Sequence, residues 1–228
     1  MCGRVQIHLT WAELVALYNM EGWGLLDGIG LPLLNLAPTQ WAPLLVAEEG
    51  QRALRAMRWG LPALWRPDPW KGAPLINAKA EEALDKATWA PLIRRQRCLL
   101  PTTGFYEWLA VGKKRYPLHF RPAQGRSLAL GGVYQRFVRD GVTVDCFAVL
   151  TTRANGVVEG VHDRMPVIIA PEQMGDWLDP QSPGAVIRPL LEPSPEDWIE
   201  AVEVSTALNS WRASGPALLE ADWARGSV

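Results

Sequence analysis

Hydrophobic positions along the chain change period several times, and each change marks an element. In Thr10–Asn19, TWAELVALYN, apolar residues recur at helical spacing, and Thr10 with Glu13 three residues on is a capping-box signature. EGWGLLDGIGLP, residues 21–32, has no period and is rich in glycine, so it reads as a loop. From Trp41 to Leu61 an apolar run meets a Glu-Glu-Gly turn and resumes as alternation through Leu54, Ala56 and Trp59, which predicts a hairpin. Prolines at 62, 67, 69 and 74 rule out regular structure in the next stretch and place it on the surface. NAKAEEALDKATWAPLIRRQ, residues 77–96, predicts a helix to about Ala87 and a second short helix before Arg97. RCLLPTTGFYEWLAVGKKRYPLHFRP alternates around a Val-Gly-Lys-Lys turn. Residues 128–154 read as a strand, an Arg-Asp-Gly turn and a long apolar strand. PEQMGDWL and PEDWIEA, each opening on proline, predict short helices.

No repeat, low-complexity tract or linker interrupts this succession. The pattern predicts one α+β domain over residues 1–228, with a mixed or antiparallel sheet curled toward a barrel and short helices at its flanks. At 228 residues such a domain buries about 70–75% of its unfolded surface. The 12 Trp and 19 Pro fit that picture, as buried anchors and as punctuation between many short elements.

Charge adds a partner class. The net charge of −1 points to no polyanion, but the distribution is uneven. Residues 93–126 hold eight Lys or Arg against Glu107 alone, whereas residues 171–203 hold eight acids against Arg188 alone. Two solvated faces explain this as well as a basic groove does. Phe105, Tyr106, Trp108 and Tyr116, interleaved with the basic run, give it the composition of a single-strand-binding surface. Three cysteines (Cys2, Cys98, Cys146) and three scattered histidines (His8, His119, His162) form no zinc pattern, so no metal is expected. Arg4 and Glu13 interrupt any signal peptide, and no apolar run approaches a membrane span. A reducing cytoplasm is expected.

The terminus itself, MCGR, raises the sharpest question. With Met1 removed, Cys2 carries an amine and a thiol on adjacent carbons. An α-amine titrates near 7.7–8.0, so roughly a tenth is neutral at pH 7, far more than for a lysine. An aldehyde meeting this pair forms an imine, which the thiol closes to a thiazolidine. An incidental terminal cysteine is the competing reading. Three other stretches offer partners. Asn77, in LINAKAEE, either caps a helix or faces a ligand, and Lys79 with Glu81 follows as first-turn residues or as a phosphate contact and its partner. Glu107, among Phe105, Tyr106 and Trp108, is either a polar-face residue or a desolvated acid with a raised pKa. His162, beside Asp163 and Arg164, is either a core histidine or an acid–base group.

Seven motifs occur in one order: MCGR, NLAPTQ (35–40), RWGL (58–61), INAKAE (76–81), GFYEW (104–108), TTRAN (151–155) and HDRMPVII (162–169). Together they resemble the SRAP family, the SOS response-associated peptidases or abasic-site-processing proteins. VSTALNSW, residues 204–211, resembles the family's closing strand more weakly. The resemblance implies an α+β fold with a barrel-like core, a cytoplasmic monomer without cofactor, and a groove for single-stranded DNA. It implies removal of Met1 by the protein's own peptidase activity or with the help of an aminopeptidase. It also implies a thiazolidine crosslink between Cys2 and an abasic sugar, with possible lyase activity at the lesion. At matching positions Asn77 orients the amine, Glu107 handles its proton or that of the sugar oxygen, and His162 serves ring opening and crosslink reversal. Arg4 and Lys79 hold phosphates, Asn35 and Thr151 line the pocket, and Trp70 and Pro38 meet bases. Lys79 stands where the family usually has arginine, replacing a bidentate fork by a point charge. Two rivals remain. One is an N-terminal-nucleophile amidohydrolase of the glutamine amidotransferase type. The other is a binding module for single strands with no chemistry.

Overall fold

The structure is a computed structural model that describes residues 2–20, 26, 28–125 and 127–227. In chain order its first strands are β1 (Val5–Ile7), β2 (Leu33–Leu36), β3 (Trp41–Glu48), β4 (Gln51–Trp59), β5 (Asn77–Lys79) and β6 (Arg97–Thr102). They are followed by β7 (Gly104–Val111), β8 (Lys114–Pro122), β9 (Leu128–Arg139), β10 (Val142–Arg153), β11 (Arg164–Pro166) and β12 (Ile199–Glu203). The short helices α1 (Trp11–Leu17), α2 (Ala80–Ala83), α3 (Ala90–Arg95) and α4 (Met174–Leu178) flank them.

Two hairpins start the architecture. Glu49-Gly50 and Asp140-Gly141 each carry two left-handed residues, with φ of 51° and 80°, and 51° and 78°. That is the turn geometry whose twist matches flanking strands. It pairs β3 with β4 and β9 with β10. The order β10-β4-β3-β6-β9 then returns to β10, so five strands close a barrel and leave no open edge among themselves. Leu44, Leu100, Leu130, Phe147 and Trp59 are buried on one face of this sheet, with Trp59 stacked on Phe147 at 5.8 Å.

The site is positioned by what happens along β10. On one edge β9 pairs as far as Val149, and β11 then takes over at Thr151–Arg153. On the other edge β4 pairs in parallel at Cys146 and Phe147, and β5 takes over at Val149–Thr151. Gly60 makes the second exchange possible. Its φ is +110°, and a Cβ there would stand 2.7 Å from the Pro74 side chain. The Trp59 indole donates to the Ile76 carbonyl at 3.0 Å, pinning the entry to β5.

A second, antiparallel sheet runs β12-β8-β7-β1-β2. Val5 opposes Phe105, and the Tyr106 amide donates to the Arg4 carbonyl at 2.9 Å, so residue 2 is drawn toward the middle of β7. One face of this sheet, with Phe105 stacked on Phe120 at 5.1 Å, packs into the barrel core. The other carries Tyr106 against Val204, Leu208 and Leu218 from the C-terminal segment.

The α+β class, barrel core and both hairpins stand as the sequence predicts, and Thr10 and Glu13 form the expected capping box. Three local expectations change. Residues 77–79 are a strand and the following helix ends at Ala83, because pairing with β10 outweighs helix propensity there. PEDWIEA is a single 3-10 turn leading into β12. VSTALNSW is not a strand but contains a 3-10 turn over Thr206–Asn209, with the strand lying just before it. In the predicted loop 21–32, residues 21–25 and 27 lie outside the described residues.

Candidate active site

Cys2 has no exposed surface. Burial first, and then the neighbouring Glu107 carboxylate, push its thiol well above the ordinary cysteine range. Its backbone carbonyl accepts a hydrogen bond from Asn77 Nδ2 at 2.8 Å. Asn77 is the first residue of β5, so its side chain anchors residue 2 and does not cap α2. Lys79, the residue before α2, makes no side-chain cap either and is exposed.

Glu107 on β7 is 4% exposed. Burial raises its pKa, and the charge of His162 opposes part of that rise. Cys2, Glu107 and His162 are therefore within electrostatic reach of one another, and Asn77 touches the first of them. His162 precedes β11. Its Nδ1 accepts the Arg164 backbone amide at 2.9 Å, which leaves the proton of the neutral ring on Nε2. Asp163 Oδ1 also lies 2.8 Å from Nδ1. One nitrogen cannot accept and donate at once, so the amide bond belongs to the neutral ring and the carboxylate contact to the imidazolium.

Thr151 on β10 is fully buried, and its neighbour across the β10–β5 pairing is Lys79. Arg164 forms a bidentate pair with Glu81, both bonds 2.7 Å, and donates to the Thr151 carbonyl. This clamp joins α2, β10 and β11 around the cluster. Its members lie 83 positions apart, and only the fold reveals them.

Arg4 Nη1 donates to Asn35 Oδ1 and to the Leu208 carbonyl at 3.2 Å, and its guanidinium lies over Trp108 at 5.4 Å. Asn35 in turn donates to the Ser210 and Ala213 carbonyls at 3.1 and 2.8 Å. It orients Arg4 and ties β2 to the C-terminal segment. Pro38 sits half-buried in the turn between β2 and β3, where Thr39 donates to the Trp59 carbonyl.

Trp70 is placed differently. Its ring meets Phe137 edge-on at 6.0 Å, with Arg58 and Arg139 over it at 5.8 and 5.1 Å, toward the turn of the β9–β10 hairpin. Those contacts lie several residues along β10 from Thr151, roughly 20 Å at the rise of a strand. The exposed ring of this proline-rich loop is Trp65, at 64%. Sequence reading has no signal that separates the two tryptophans.

Four buried side-chain atoms here lack a hydrogen-bond partner among the described residues: Asn77 Oδ1, Thr151 Oγ1, Arg164 Nε and Arg4 Nε. Orphaned polar atoms of this kind are rare in folded interiors. Asn77 holds residue 2, and Thr151 and Arg164 belong to the adjoining clamp, so three of the four gather where β5, β10 and β11 meet.

Comparison with known proteins identifies the family. The family model for the SOS response associated peptidase (SRAP) matches residues 1–211. The abasic site processing protein YoqW of Bacillus subtilis (strain 168) is 30% identical over 223 residues, covering 96% of this chain and 99% of that one. The abasic site processing protein HMCES of Gallus gallus is 29% identical over 262 residues, covering 96% of this chain and 77% of its own. Among solved structures, a protein from Bacteroides thetaiotaomicron superposes with a TM-score of 0.82 at 20% identity, over 97% of this chain and 100% of the other, which establishes the shared fold. This chain belongs to the SRAP family.

Proposed function

We propose that this chain captures abasic sites in single-stranded DNA covalently, through the amine and thiol of Cys2 once Met1 has been removed. One observation carries the reading: residue 2 is buried and held by Asn77, whose own Oδ1 is buried without a partner among the described residues. Relatives named for abasic site processing support the same substrate.

The chemistry uses no group the chain lacks. Ring opening of an abasic sugar exposes an aldehyde. The Cys2 amine adds to that carbon, and loss of water leaves an imine. The thiol then adds across the C=N bond, its proton passes to nitrogen, and a thiazolidine closes. The raised pKa of the thiol keeps it protonated while the amine attacks, which sets the order of the two steps. Glu107, with its pKa raised by burial, takes the proton of the α-ammonium. His162 donates from Nε2 to the sugar oxygen in ring opening and to the departing nitrogen in reversal. Arg4 and Lys79 hold the flanking phosphates, and Asn35 acts through Arg4. Thr151 Oγ1 and Asn77 Oδ1 receive polar groups of the sugar. A single strand is required because the lesion must bend into the site without unpairing a duplex. Removal of Met1 is the prerequisite, since an amide nitrogen at Cys2 forms no imine. Glu107 serves that peptidase step as well. An imine that escapes ring closure has the electron sink for β-elimination, which is the route to lyase activity.

The test is intact-mass measurement of the purified protein, alone and after mixing with an abasic single strand. The expected product is protein lacking Met1 plus oligonucleotide minus one water, absent with an intact strand and absent in Cys2→Ala. An adduct that survives Cys2→Ala refutes the reading. A mere binding module gives equal affinity for both strands and no heat-stable product. A glutamine amidohydrolase gives ammonia from glutamine instead.

A further inference from the structure

Of the motif TTRAN, residues 151–155, the chemistry above uses only Thr151. Its last residue, Asn155, is buried and works in three directions. Oδ1 accepts the backbone amides of Val157 and Val158 at 3.2 and 3.3 Å. The Asn155 carbonyl accepts the Val158 and Glu159 amides at 3.0 and 2.9 Å. Nδ2 donates to the Ser194 carbonyl at 3.1 Å. The first two sets are what a residue capping a helical turn supplies. The third ties that turn to a distant part of the chain.

The capped turn carries His162. Strand β10 ends at Arg153 and β11 begins at Arg164. The loop between them is closed at its base, where the Ala154 amide donates to the Asp163 carbonyl at 3.0 Å. Inside it, the Val158 carbonyl accepts the amides of Val161 and His162 at 2.8 and 3.0 Å. Val158 itself has no exposed surface. The backbone of His162 is thus bonded to Val158, and Val158 is bonded to Asn155.

Residues 192–196, EPSPE, are the anchor. Glu192 (φ −74°, ψ 160°) and Pro195 (φ −52°, ψ 149°) are extended, and the two prolines hold the segment in that state. Alternate residues grip the start of the loop. Glu192 pairs with Arg153 at 3.2 Å, the Ser194 carbonyl receives Asn155, and Glu196 Oε1 accepts the Gly156 amide at 3.1 Å. A Cβ on Gly156 would stand 2.3 Å from Glu196 Oε1, so the two segments meet closely there.

We infer that Asn155 is the positioning residue of His162, holding the imidazole at the site by capping its turn against this stiff segment. The inference rests on the proposed function for what His162 does, and on these hydrogen bonds for how it is held.

The test follows release of oligonucleotide from a preformed crosslink on a denaturing gel. Wild type is compared with Asn155→Ala, Asn155→Ser, His162→Ala and the double variant Asn155→Ala/His162→Ala. Displacing a reacting group by about 1 Å costs about 100-fold in rate, and here the base of the loop stays closed. Asn155→Ala therefore slows release by on the order of 10-fold. Serine caps a turn about as well as asparagine, so Asn155→Ser stays within about threefold of wild type. With His162 gone nothing is left to position, and Asn155→Ala adds no further slowing in that background. Wild-type release in Asn155→Ala, or equal slowing with and without His162, overturns the inference. Ring nitrogen chemical shifts of His162 in the free protein give a readout that needs no adduct. Wild type and Asn155→Ser show the neutral ring with its proton on Nε2 alone, whereas Asn155→Ala shows a mixture of both tautomers. If wild type forms no adduct, the proposed function fails and the ring shifts decide the positioning role by themselves. Unchanged shifts in Asn155→Ala then overturn it.

Discussion

Asn77→Ala isolates the contribution of holding residue 2. The side chain makes one hydrogen bond to Cys2, from Nδ2 to the carbonyl at 2.8 Å. Because that bond exists before and during the reaction, its own energy cancels from the barrier. What the reaction loses is orientation. Once Met1 is removed, as the proposed function requires, residue 2 has a chain neighbour on one side only, and without Asn77 its backbone is free to turn. Fixing the backbone of one residue costs about 1–2 kcal/mol, so crosslinking slows by about 5-fold to 30-fold at 1.36 kcal/mol per decade. Asn77→Asp, which keeps the shape but has no donor and adds a second carboxylate near Glu107, is at least as slow. The assay is single-turnover crosslinking to an abasic strand at saturating protein, resolved on a denaturing gel, beside equilibrium binding of an intact strand. Binding stays within about twofold of wild type, since Asn77 carries no charge. A wild-type crosslinking rate in Asn77→Ala, or equal losses in rate and binding, refutes the positioning role.

Three more outcomes follow from burial. His119 is buried on β8, and desolvation, aided by Arg121, lowers its pKa from 6.5 to about 4. The unfolded chain takes up that proton near 6.5 and the folded chain only near 4, so stability falls as pH drops through this window. The loss is roughly 3 kcal/mol, and it shrinks in His119→Gln when urea melts are compared at the two ends. Glu107 has the opposite charge and a raised pKa, so stability declines as pH rises from the ordinary carboxylate range to its folded pKa and levels above it. Glu107→Gln therefore melts higher than wild type near neutral pH, with the gap closing in acid, while crosslinking is lost. Gly104 has φ +149°, and a Cβ there would stand 2.1 Å from His119 Nε2 and 2.5 Å from the Phe120 carbonyl. Gly104→Ala adds backbone strain and overpacking of about 1–3 kcal/mol each, read as a fall in the denaturant midpoint.

The parts of the fold visible in the sequence are those whose cause is local. Glu49-Gly50 and Asp140-Gly141 announce their hairpins because the turn residues themselves must be left-handed. The capping box of α1 is likewise contained in four residues. Strands β1, β5 and β11 have three residues each, too few to show a period, and they exist because partners far along the chain await them. Asn77 thus resembles a helix cap in sequence and becomes a strand residue beside Val149. The Glu81–Arg164 clamp and the seating of Trp70 on Phe137 are equally non-local. Cys2 is different. The reactivity of an amine next to a thiol depends on residue type and terminal position, so its chemistry is legible before any fold is known.

The fold adds control over that chemistry. An exposed amino-thiol would react with any passing aldehyde and would oxidise readily. Here residue 2 has no exposed surface, and burial together with Glu107 keeps the sulfur protonated. The same burial that protects the thiol also slows its attack, so reactivity must be restored by the substrate. Under the proposed function, a strand whose phosphates meet Arg4 and Lys79 delivers its aldehyde to a fixed position. The high effective concentration of a held reactant, up to about 10⁵ M or more in favourable geometries, offsets the loss of intrinsic nucleophilicity. A small diffusible aldehyde has no phosphates and gains none of this. The proposed function thereby draws selectivity for a lesion in a strand from a hidden reaction centre reached through phosphate contacts, without any contact to a base that the lesion does not have.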